Sequence, residues 1–107
     1  MSDATSFSAK MGDLQKLRIA AVILLSEENS QLLRRRQRVA GKEIEVMCAE
    51  RDLAADAGGS SLQEALAALR AEELEARRAL AETEQEVRRL EALLAKLNAD
   101  IAALCQS

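Results

Sequence analysis

The sequence predicts an all-α fold, an elongated antiparallel hairpin or bundle of two long helices. Three observations carry that prediction. Leu, Ala, Glu, Arg and Lys dominate the chain, while its 107 residues include one phenylalanine and no proline, tyrosine, tryptophan or histidine. That composition suits long helices and coiled coils, and the aromatic and β-branched residues that sheets favour are scarce in it. Second, a 4-3 spacing runs unbroken through Leu62, Leu66, Leu69, Glu73, Ala76, Leu80, Thr83, Val87, Leu90, Leu94, Leu97, Ile101 and Leu104. Such a stripe stays on one helix face only when the helix packs along a partner. Third, Asp56-Ala57-Gly58-Gly59-Ser60-Ser61 is the only strong turn signal in the chain, and it separates two patterned segments.

Residues 1–9 are polar, small and unpatterned, and are expected to form a flexible N-terminal tail. The remainder, 10–107, is expected to be a single helical domain, with a first helix over about 10–55. Gly12 weakens the start of that helix, since an interior glycine costs about 1 kcal/mol relative to alanine. Its seam repeats every seven residues at Leu25, Leu32, Val39, Val46 and Leu53, with Met11 and Leu14 extending it toward the start. The alternate seam positions are Ala21, Glu28, Arg35, Lys42 and Ala49. Three of those five are charged, so they must reach the rim or meet opposite charges. The turn occupies 56–61, where Gly58 or Gly59 is expected to supply a left-handed residue. The second helix, about 61–104, opens on a Ser61-x-x-Glu64 capping box. Thr83 to Glu86 repeats the box pattern, but the heptad phase continues through it, so one continuous helix is expected.

Folding the chain at Gly58-Gly59 sets opposite one another residues whose numbers add to about 117. Glu27-Glu28 then faces Arg88-Arg89, Arg34-Arg35-Arg36 faces Glu82 and Glu84, and Lys42 faces Glu73 and Glu75. These matched clusters select this register over a slipped one.

The chemistry of catalysis is missing from the sequence. Without histidine, Ser-His-Asp, Cys-His and histidine-metal sites are excluded. The carboxylates alternate with Arg and Lys in the manner of solvated helix faces. Gly58-Gly59 has no following Lys-Ser/Thr and is not a phosphate loop. No enzyme activity, cofactor or metal is therefore expected. A net charge of −3 predicts no general attraction to nucleic acid or anionic membrane. The longest apolar run, Ile19 to Leu25, is far short of the roughly 20 residues a membrane span needs. No basic leader precedes that run, so a cytoplasmic location is expected. The two cysteines, Cys48 and Cys105, fall on distant rungs of the hairpin and are expected to be free thiols. The basic run Arg34 to Arg38 is expected to be a helix face paired with acidic residues around Glu82 to Glu86, because no aromatic is interleaved to stack on bases.

Apolar residues outside the seam point to a partner. Ile19, Leu24, Leu33, Ile44, Met47, Leu74 and Leu93 cannot all face the other helix of a two-stranded hairpin. A third element, a homodimer forming a four-helix bundle, or another protein must cover them. Leu33, Ile44 and Met47, at spacings of eleven and three, lie on one side of the first helix. Bordered by Arg36, Glu43 and Glu50, they form the candidate partner-binding face.

Lys16-Leu17-Arg18-Ile19-Ala20-Ala21-Val22, then Leu25-Ser26-Glu27, then Ile44-Glu45-Val46-Met47-Cys48-Ala49-Glu50 ahead of a turn, together resemble the tubulin-binding cofactor A family. The likeness covers most of the first helix and is looser over the second. It implies a helical cytosolic chaperone, associated with the cytoskeleton, that holds β-tubulin monomers during folding and microtubule biogenesis without nucleotide or metal. It also implies a three-helix bundle. The chain departs from that pattern in lacking the proline usual in the second helix and in leaving no length for a full third helix. The hairpin is therefore the expected architecture. The alternative function is a structural coiled-coil subunit of a larger cytoskeletal or kinetochore assembly. A weaker third is a helical adaptor using the basic run.

Overall fold

The computed structural model describes residues 2–55 and 59–106. The chain is all-α, with α1 over Ser2–Ala55 and α2 over Ser60–Gln106. Residues 56–58 of the expected turn, Gly58 among them, lie outside the described residues.

Both helix starts differ from the expectation. Helix α1 begins at Ser2, so residues 2–9 are helical rather than an irregular tail. This segment holds no proline or glycine, and lengthening an existing helix adds one bond for each residue fixed, whereas nucleation is the costly step. The helix also runs through Gly12 and Gly41. A Cβ at either position would meet nothing within 4 Å, so no neighbour inside the chain requires the glycine. Helix α2 begins at Ser60, ahead of the predicted Ser61 cap. The N–H of Gln63 donates to the Gly59 carbonyl at 3.1 Å, which makes Gly59 the cap residue and moves Ser61 and Glu64 inside the helix. Glycine is a competent N-cap, and a Cβ here would lie 3.3 Å from Leu62 Cδ1, a tight contact that the leucine would have to yield to by a few tenths of an ångström. Of the two glycines expected to offer a left-handed residue, Gly59 does not adopt that conformation, and Gly58 lies outside the described residues.

The chain divides into two compact units, Ser30–Glu84 and Met1–Asn29 with Gln85–Ser107. In the Ser30–Glu84 unit the helices run antiparallel around a core of Val39, Val46, Leu66 and Ala76. Leu32, Ala49, Leu53, Leu62, Leu69 and Leu80 are half-buried beside it. In the other unit Ala21, Val87, Leu90 and Leu97 are buried. Met11, Leu14, Leu25, Leu94, Ile101 and Leu104 are half-buried there, and Arg18 Nε donates to Asn98 Oδ1 at 2.8 Å. Every seam position predicted on α2 is buried or half-buried, as are the twelve predicted on α1.

The charged seam residues reach the rim. Lys42 keeps 20% of its side chain exposed and extends its ammonium to Glu72 at 2.9 Å and Glu45 at 3.1 Å. Arg35 Nη1 donates to the Ala79 carbonyl at 3.0 Å. Arg77 bridges Glu43 at 2.7 Å and Glu73 at 2.8 Å, and Arg70 reaches Glu50 at 3.3 Å. The residue numbers of these cross-helix pairs add to between 114 and 120, which brackets the expected register.

Individual partners nevertheless differ from the expected ones. Lys42 crosses to Glu72, while Glu73 and Glu75 pair along their own helix with Arg77 and Arg78. Arg89 pairs with Glu86 rather than with Glu27 or Glu28. Among the described residues no ion pair joins Arg34 to Arg36 with Glu82 or Glu84. Pairs three or four residues apart on one helix are neighbours on its surface and compete with cross-helix pairs of similar, small energy, and both kinds occur at this rim.

Candidate partner-binding face

Helix α1 presents a second face, turned away from its seam, along the Ser30–Glu84 unit. With the seam on Val39, Lys42 and Val46, a helical repeat of about 3.6 residues carries Leu33, Gln37, Ala40, Ile44, Met47 and Arg51 to the opposite side. The large apolar residues of this group are open to solvent: Leu33 is 59% exposed, Ile44 61% and Met47 66%. Ile44 and Met47, one turn apart, line a shallow hollow of about 300 Å³ with Cys48 and Arg51. Leu33 lies three turns upstream on the same face and does not line that hollow.

The charged border predicted for this face is present, but its members differ in how they are held. Glu43 accepts from Arg77 and Glu50 from Arg70, so both carboxylates are steered toward α2. Arg77 is held further toward its charged form, first by its hydrogen bond with Glu73 and then by Glu43. Arg36 is exposed, and among the described residues it has no ion-pair partner. The structure thus brings Ile44, Met47, Glu43 and Glu50 onto one neighbourhood of α1, with Leu33 and Arg36 continuing the face upstream. Cys48, a free and exposed thiol, lies in the hollow.

Two features of the other unit were not singled out as sites in the sequence. Leu17, Ile19, Val22, Ile23 and Leu24 are all exposed there, 41–58% by residue. The signal was the Ile19–Leu25 run, in which only Ala21 and Leu25 belong to the seam. A wider open depression of about 560 Å³ is lined by Lys10, Asp13, Leu14, Asp100, Ala103 and Leu104. Its leucines, Leu14 and Leu104, are seam residues that remain half-exposed, and Ala103 beside them is exposed.

Among the described residues no helix is long and apolar enough to cross a membrane, and no group of three or more Cys, Asp or Glu is placed to hold a metal ion. No protein family, curated protein or solved structure matches the chain.

Proposed function

We propose that the chain is a non-catalytic binding protein of the chaperone type, which captures a β-tubulin subunit in the cytoplasm during folding and microtubule biogenesis. The observation that carries this reading is the pair Ile44 and Met47, solvent-exposed side by side in a hollow with charge at its border. Burying such side chains supplies roughly 1.5–3 kcal/mol each, while a polar rim keeps the free protein dispersed. The choice of client rests on residues 16–22, 25–27 and 44–50, which carry the resemblance to tubulin-binding cofactor A.

The test is capture of purified tubulin by the full chain and by Ile44→Asp/Met47→Asp. The variant should retain its helical circular dichroism and lose tubulin binding by about tenfold or more. Unchanged binding removes this face from the proposal. Absence of binding by the parent chain removes the client.

A second reading, a structural coiled-coil subunit of a larger cytoskeletal or kinetochore assembly, draws on the exposed Leu17, Ile19, Val22, Ile23 and Leu24. A monomer seldom leaves so many large apolar groups together in water. That reading expects Ile23→Asp/Leu24→Asp to release the chain from its assembly, whereas Ile44→Asp/Met47→Asp leaves it bound.

A further inference from the structure

We infer that the outer face of α1 in the Ser30–Glu84 unit is self-complementary, and that in the absence of a client a second copy of this chain covers it, antiparallel, with the two-fold axis at Ala40-Gly41. The inference goes beyond the client reading and stands without it.

Charge order along the two rims is the first support. One rim reads Arg36, Glu43, Glu50 and the other Arg38, Glu45, Asp52, each at seven-residue intervals. Both rims are basic upstream of Gly41 and acidic downstream of it. An antiparallel second copy sets like rims against each other in reversed order, so Arg36 meets the other copy's Glu43 and Arg38 meets its Glu45. The two-fold axis then repeats both pairs. A parallel copy in register would set arginine on arginine and glutamate on glutamate, a repulsive arrangement. The available donors match this geometry. Arg36 and Arg38 are exposed and, among the described residues, without ion pairs. Glu43 and Glu45 already accept from Arg77 and Lys42 yet remain 45% and 51% exposed. A carboxylate has lone pairs for a second donor.

The apolar pattern is the second support. Leu33 and Met47 stand seven residues to either side of Ala40, so the same two-fold operation brings each onto the other across the pair. Small residues occupy the centre, where helices approach most closely. Gly41 is a glycine inside a long helix, and a Cβ there would meet nothing within 4 Å in its own chain. Its place at the waist of the pair gives that residue a role that one chain alone does not.

The test is sedimentation equilibrium of the full chain over a range of concentrations, with two charge-reversed variants. The parent should reach a dimer. Arg36→Glu/Arg38→Glu, with acidic rims throughout, and Glu43→Arg/Glu45→Arg, with arginine at all four pairing positions, should each dimerise about tenfold more weakly or worse. An equimolar mixture of the two should restore the dimer. Arg36, Arg38 and Glu45 are exposed and Glu43 is half-buried, and because Glu43 and Glu45 also pair with Arg77 and Lys42, circular dichroism and thermal melting check that each variant remains folded. Orientation is read separately from Leu33→Cys in a Cys105→Ser background, where a short bismaleimide should join the introduced thiol of one copy to the native Cys48 of the other. Positions 33 and 48 lie about 22 Å apart along one helix, beyond the linker's reach. A parent that stays monomeric, a mixture that fails to pair, or no 33–48 crosslink overturns the inference. A monomeric parent that still captures tubulin overturns the pairing alone, while an unsubstituted parent that dimerises on concentration yet captures no tubulin when dilute enough to be monomeric overturns the client alone.

Discussion

Arg35 of α1 and Thr83 of α2 donate to one and the same acceptor, the Ala79 carbonyl oxygen, at 3.0 and 3.1 Å. The two residues solve different problems with it. Thr83 is buried in an otherwise apolar stretch of seam and satisfies its hydroxyl on its own helix, four residues back. Arg35 holds a seam position with a charge that must leave the interface, and the carbonyl gives its guanidinium a partner at the edge. A polar rung is thereby tolerated in a seam that Leu32 and Val39 continue along α1 and Ala76 and Leu80 along α2.

This sharing predicts unequal costs. Thr83→Val keeps the shape and removes a donor whose acceptor retains Arg35, so stability should change by less than about 0.5 kcal/mol. Arg35→Ala removes packing along the arginine stem as well as the hydrogen bond, and should cost about 1–2 kcal/mol. Urea midpoints at constant m-value measure both. Equal costs for the two variants would show that the shared acceptor is not what holds this rung.

Burial on the α2 stripe predicts a sharp contrast between near neighbours. Leu90 is 1% exposed, and Leu90→Ala should lose about 2–5 kcal/mol through lost transfer energy and the cavity left behind. Leu93, three residues on and 37% exposed, faces away from the seam, and Leu93→Ala should cost under about 1 kcal/mol. The same denaturation experiment decides, and comparable losses would place Leu93 under a cover that one chain does not provide.

Alkaline titration should expose the Lys42 cluster. Hydrogen bonds with Glu72 and then Glu45 hold its ammonium above the ordinary lysine value of 10.5. Folding therefore favours the protonated lysine. The stabilisation is full below the ordinary value and disappears as pH rises through the folded one. Lys42→Met should flatten that part of the alkaline decline in melting temperature. An identical decline in the variant assigns it to other groups. The Glu86 carboxyl, lowered by its hydrogen bond from Arg89, acts in the opposite direction: its contribution is present above the ordinary carboxylate value and is lost as pH falls through the folded one.

The seam was legible because a seven-residue period fixes which side of a helix is covered whatever the side chain. Even Glu73, Thr83, Arg35 and Lys42 occupy the covered positions that the period assigns them. The separate ion pairs were not legible to the same degree. Long side chains choose among partners at similar distance, and Lys42 takes Glu72 where the fold-back placed Glu73 and Glu75 opposite it. Helix starts were misjudged for a related reason: the differences between Ser2 and residue 10, or between Gly59 and Ser61, are small beside the energy of the helix that follows. The apolar members of the outer face were legible as a surplus over the seam. The pairing of Glu43 with Arg77 and of Glu50 with Arg70 depends on how the folded side chains extend across the rim.

The unequal seams bear on the order in which the chain is made. Helix α1 leaves the ribosome first, and its seam is interrupted by Glu28, Arg35 and Lys42. A nascent α1 therefore offers other chains a poor zipper while it waits. The more continuous leucine-rich stripe belongs to α2, which emerges when a tethered partner is already at hand. Closing a short loop costs little entropy, so the stickier helix meets its own chain before it meets a neighbour on the same polysome.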